Sequence, residues 1–80
     1  MDEQARDAFT AWKEADARAR GAEVRLALAW DDYFARRGEP PARELVGEVS
    51  RLRVEANDKL TAAMRTMRES ARSTERPLAR

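Results

Sequence analysis

Nine positions in the first half of the chain, Ala5, Ala8, Trp12, Ala15, Ala19, Ala22, Leu26, Ala29 and Tyr33, recur at alternating steps of three and four. An α-helix gathers such positions onto one side, and four successive heptads of them make a seam for packing against another helix. Phe9, Trp30 and Phe34 flank the seam and widen it beyond a narrow two-stranded contact, toward the breadth of a helix in a bundle. Asp2 is placed to cap this helix, with Glu3 in the first turn, where negative charge suits the positive end of the dipole.

The seam ends at a compact set of stop signals. Arg36 and Arg37 fall in the expected last turn, Gly38 is positioned for a left-handed cap, and Pro40 and Pro41 follow. Pro41 also suits the first position of a following helix, where its missing N–H costs nothing. The second helix carries Leu45, Val49, Leu52, Ala56, Leu60, Ala63, Met67 and Ala71, with Val46 and Met64 beside them. Their mean step is nearer an eleven-residue repeat than a heptad, so strong left-handed supercoiling is not expected. The fold expected is all-α: an antiparallel two-helix hairpin with helices over about 3–37 and 41–72. Residues 1–72 form the hairpin domain, and residues 73–80 read as a frayed tail.

Folding at Gly38 to Pro40 pairs positions whose numbers sum to about 79. That sets Tyr33 near Val46, Trp30 near Val49, Leu26 near Leu52, Ala22 near Ala56, Ala19 near Leu60, Ala15 near Ala63 and Trp12 near Met67. Charge agrees with the antiparallel arrangement. Residues 1–16 hold five acidic and two basic side chains, whereas residues 65–80 hold five basic and two acidic.

A core of this size needs support, because 80 residues rarely supply more than roughly 3–5 kcal/mol from one apolar core. Of the 42% hydrophobic residues, 16 are alanine and contribute one methyl each, which favours close helix-on-helix packing. There is no Cys and no His, so disulfides and the usual structural metal sites are not at hand. Two rods touch along one line and leave an aromatic strip partly wet. The expectation is a twofold homodimer closing a four-helix bundle. Its hairpin and dimer core would be Phe9, Trp12, Ala15, Ala19, Ala22, Leu26, Trp30, Tyr33, Phe34, Val49, Leu52, Ala56, Leu60 and Met67.

Little points to chemistry. Without His or Cys the commonest general base and the best nucleophile are missing, and no carboxylate falls in the apolar seam, so no catalytic residue is expected. Asp31 and Asp32 point about 100° apart on a helix, and Asp32 is spaced to pair with Arg36. No Glu-x-x-His pair suits a bundle metal site, and Gly21, Gly38 and Gly47 are too scattered for a phosphate loop, so no metal or cofactor is expected. Gly21 suits a kink, a close backbone approach or plain tolerance.

Two surface features remain. Arg65, Arg68, Arg72 and Arg76, at steps of three and four, line one outer face of the second helix and suit nucleic-acid phosphates, although a solvated face balanced by Glu69 is the simpler reading. Val24 and Leu28 lie opposite the seam, at the expected height of an outward Val54, and suit a second contact, although scattered exposed apolar residues are the simpler reading.

Net charge of +1 directs the chain to neither nucleic acid nor membrane, no apolar run spans a bilayer, and the acidic start is unlike a signal or transit peptide. A cytoplasmic protein is expected, and 14 Arg against 2 Lys suggests a GC-rich, bacterial coding genome. The layout resembles several small helical hairpins: the plasmid RNA-binding Rop proteins, the secreted hairpins with a Trp-x-Gly turn, and the helical co-chaperones of type III secretion. Here Arg36, Arg37 and Gly38 stand at the turn, so no residue role carries over. The leading expectation is a non-enzymatic structural or protein-interaction module. A nucleic-acid-binding bundle and a secretion-type co-chaperone for a client helix are the alternatives.

Overall fold

Helix-favouring Ala, Glu, Arg and Leu fill both halves of the chain. The result is two helices, α1 (Glu3–Phe34) and α2 (Arg43–Glu75), which form an all-α hairpin. The computed structural model describes residues 3–75, and the side chains of residues 3–72. The hairpin is a rod of 68 × 16 × 15 Å with a radius of gyration of 18.7 Å, against about 12 Å for a globule of this length.

Helix α1 stops three residues before the expected end. The Arg36 N–H donates to the Tyr33 carbonyl at 3.0 Å and the Arg37 N–H to the Asp32 carbonyl at 2.8 Å, the paired bonds of a Schellman cap. Closing those bonds requires a left-handed residue at position 36, and Arg36 takes it with φ of 62°. Gly38, expected in that role, does not have positive φ. The cap also moves the ion pair, so Asp32 accepts from Arg37 at 3.0 Å where Arg36 was expected. A β-carbon in the left-handed region costs about 1 kcal/mol. Arg36→Gly is therefore expected to stabilise the chain by about that much, read as a higher midpoint in urea with an unchanged slope.

Helix α2 begins later than Pro41. The Ala42 carbonyl accepts the N–H groups of Leu45 at 3.0 Å and Val46 at 3.2 Å, which makes Ala42 the half-helical cap residue and leaves Pro41 outside. At its other end α2 continues to Glu75, so residues 73–75 of the expected tail are helical; residues 76–80 lie outside the described residues. Gly21 leaves α1 unbroken, is exposed, and a methyl there would meet nothing within 4 Å, so it is simply tolerated.

Packing centres on alanine. Among the described residues the fully buried side chains are Ala5, Ala15, Ala19, Ala22, Ala56 and Ala63, and nothing larger is fully buried. Leu52 packs against Ala15, Ala19 and Ala56. Leu26, Val49, Leu60 and Met67 remain half-buried, because in a two-helix rod each seam side chain still has one open flank.

The register differs from the expected one. Arg18 meets Glu55 at 3.5 Å and Arg25 meets Glu48 at 2.9 Å, which places each α2 partner about six residues nearer the turn than the sum rule gave. Ala19 thus lies against Ala56 and Leu52 instead of Leu60. The slip has a structural consequence at the turn. The last turn of α1, with Trp30, Tyr33 and Phe34, stands level with the connection and the first residue of α2, where there is little to cover it.

Candidate functional site

The two flanks of the hairpin differ in chemistry, and the difference follows from heptad rows beside the seam. On one flank α1 presents Phe9, Asp16, Glu23 and Trp30, seven residues apart, and α2 presents Val46, Arg53, Leu60 and Met67. On the other, α1 presents Ala11, Arg18, Arg25 and Asp32, and α2 presents Glu48, Glu55, Ala62 and Glu69. The second flank is laced by Arg18–Glu55 and Arg25–Glu48, all four side chains being well exposed. The first is apolar at both ends and charged at the middle.

At the turn end of the apolar flank, Trp30 stacks on Phe34 with ring centroids 5.4 Å apart and meets the edge of Tyr33 at 5.9 Å. These contacts hold the rings together without covering them: Trp30, Tyr33 and Phe34 are 39%, 38% and 73% exposed, and nearby Val46 is 45% exposed. The hairpin alone does not bury these three expected core residues. At the far end Phe9 and Trp12 pack at 5.5 Å, half-buried, with the Lys13 Nζ 5.7 Å from the Phe9 ring centre. Met64, on the same side, is 51% exposed.

Between the two ends sits an ion cluster that the sequence did not disclose. Arg53 donates through Nε and Nη2 to both oxygens of Glu23 at 2.9 Å, and through Nη1 to Asp16 at 2.9 Å. Arg20 pairs with the other oxygen of Asp16 at 2.8 Å. Forked geometry of this kind is the strong form of a carboxylate–guanidinium contact. Hydrogen bonds from Arg53 hold the Asp16 and Glu23 carboxyls below their usual range, partial burial opposing them, and the two carboxylates in turn raise Arg53. Asp16 and Glu23 thus border the seam without entering it, as ionised groups. The signal was present as two acids one heptad apart beside Ala15 and Ala22, with an arginine beside Leu52. Only the true register aligns them.

No protein family, curated protein or solved structure matches this chain.

The remaining candidates are dispersed. Arg65, Arg68 and Arg72 are exposed along the outer face of α2, and Arg76 lies outside the described residues. Val24, Leu28 and Val54 are each 57% exposed. They do not form one patch, because Val24 and Leu28 face outward from α1 while Val54 faces outward from α2 at a different level. Two shallow hollows, of 540 Å³ around Gly47 and Val54 and of 400 Å³ around Trp12 and Ala17, each lie along a single helix. Among the described residues no three His, Cys, Asp or Glu side chains gather to hold a metal ion, and no helix is long and apolar enough to cross a membrane.

Proposed function

We propose that this chain is a non-enzymatic protein-interaction module of the bacterial cytoplasm that works as a homodimer, two hairpins closing their aromatic flanks into a four-helix bundle. One observation carries the reading: nothing larger than alanine is fully buried among the described residues, while Trp30, Tyr33, Phe34, Val46 and Met64 stand exposed on a single flank. Exposed apolar strips of this kind mark interfaces. The opposite flank, laced with solvated ion pairs, has no comparable need of cover. A side of 68 by 16 Å also offers more than the roughly 800 Å² per partner that a standard interface buries.

A second copy fits this flank better than an unrelated client helix, because the flank carries acids on α1 and an arginine on α2 and so complements itself. Phe34→Glu tests the reading. The side chain is already 73% exposed in one hairpin, so self-association is expected to weaken at least about tenfold, with helix content unchanged at concentrations where the variant still pairs. Unchanged association by sedimentation would overturn the proposed face.

Nucleic-acid binding is the second reading, favoured by one contrast. Arg65, Arg68 and Arg72 show no carboxylate partner among the described residues and share one outer face of α2, whereas the other arginines without one, Arg6, Arg36, Arg43 and Arg51, lie elsewhere along the chain. Unpaired arginines on one face suit phosphates, but no aromatic side chain stands between them for base stacking.

A further inference from the structure

We infer that the second copy lies parallel to the first, turn beside turn, with α1 of each hairpin against α2 of the other. The inference rests on the self-association proposed above and adds its direction. Two twofold arrangements bring apolar flank onto apolar flank. An axis across the hairpin, at the level of Arg53, stacks like helix on like helix in opposite directions. It sets Arg53 over the second copy's Arg53, and Asp16 over its Glu23. An axis along the hairpin keeps every residue at its own height and exchanges the helices. It sets Asp16 and Glu23 opposite the second copy's Arg53, and Trp30 opposite its Val46.

Apolar side chains tolerate both arrangements, so the charged middle decides between them. Like charges juxtaposed in a closing interface oppose association, whereas complementary ones fix its register. Arg53 has donors to spare: Nε, one Nη1 hydrogen and one Nη2 hydrogen serve Glu23 and Asp16, which leaves two of a guanidinium's five N–H groups for a carboxylate from outside. In the parallel arrangement the two three-residue clusters merge into one alternating network. In the antiparallel one the spare donors point at another arginine. The cluster acts as a direction-setting device within an otherwise permissive apolar surface.

The chain has no cysteine, so one introduced thiol reports cleanly. Glu39, exposed in the turn, is replaced in Glu39→Cys, spin-labelled, and the label-to-label distance is measured by pulsed dipolar spectroscopy alongside sedimentation. Parallel hairpins of 16 by 15 Å cross-section bring the two labels within about 35 Å. A dimer whose labels are more than about 35 Å apart, toward the roughly 45 Å given by twice the rise from the Arg53 level to the turn, overturns the parallel direction and leaves self-association standing. A monomer with no dipolar coupling overturns both.

Discussion

Ala19→Leu is expected to lower the stability of the folded chain by about 3 kcal/mol. On hydrophobicity alone the sign would be the reverse, since three added carbons at about 0.8 kcal/mol each favour folding wherever room exists for them. Room is what the seam lacks. Ala19 is 0% exposed and packs with Ala15, Ala56 and Leu52, where the helices approach closely enough that a methyl fills the space between them. A leucine must either push the helices apart, uncovering the neighbouring alanines, or leave its preferred rotamer. Ala17→Leu, at an exposed position of the same helix facing away from the seam, supplies the control and should change stability by no more than about 0.5 kcal/mol. Urea titrations of the three proteins decide the matter. A midpoint raised by Ala19→Leu would show that the interhelical space is roomier than the alanine contacts describe.

Arg53→Met is expected to lower the melting temperature at neutral pH by several degrees and to remove much of the acid dependence of stability. Two carboxylates lean on this side chain, and both are held below their usual pKa by its hydrogen bonds. A carboxyl with a depressed folded pKa contributes stability that is present above its ordinary value, here 3.8 for Asp16 and 4.5 for Glu23. That contribution is lost as pH falls through the folded value. Wild type should therefore soften on acidification below about pH 4, and the variant should soften less. The gap between their melting temperatures should be widest near pH 7 and shrink toward pH 2. Arg20 keeps its pair with Asp16 in the variant, so the Glu23 contribution is the one lost most completely. An equal gap at both pH values would mean that Arg53 acts through its aliphatic stem alone.

The helices and the hairpin were legible because they follow from local rules. Heptad spacing from Ala5 to Tyr33 places a helix, and the Gly38 to Pro41 region breaks it. The precise cap was not legible: several residues near a helix end can satisfy the same carbonyls, and here the bonds from Arg36 and Arg37 closed two positions earlier than a glycine suggested. The register escaped for a deeper reason. Apolar positions recur every three or four residues along both seams, so a slip of about six residues again sets apolar against apolar, and matching hydrophobic layers cannot distinguish the two alignments. Charge can: in the observed register Arg53 reaches Asp16 and Glu23 together, while Arg18 and Arg25 reach Glu55 and Glu48. The candidate face was half legible. Its aromatic ends stood out as wide-flank residues, whereas the ionic middle is joined across the hairpin by contacts between residues thirty or more positions apart.

An alanine seam leaves this hairpin short of apolar burial, and the aromatic flank is the surface on which the shortfall would be made good. Sedimentation equilibrium of the unmodified chain at micromolar concentration tests that directly. The expected result is a species near twice the 9.1 kDa chain mass, shifting toward 9.1 kDa on dilution with a concurrent fall in helicity. A single 9.1 kDa species with a melting temperature independent of concentration would contradict it.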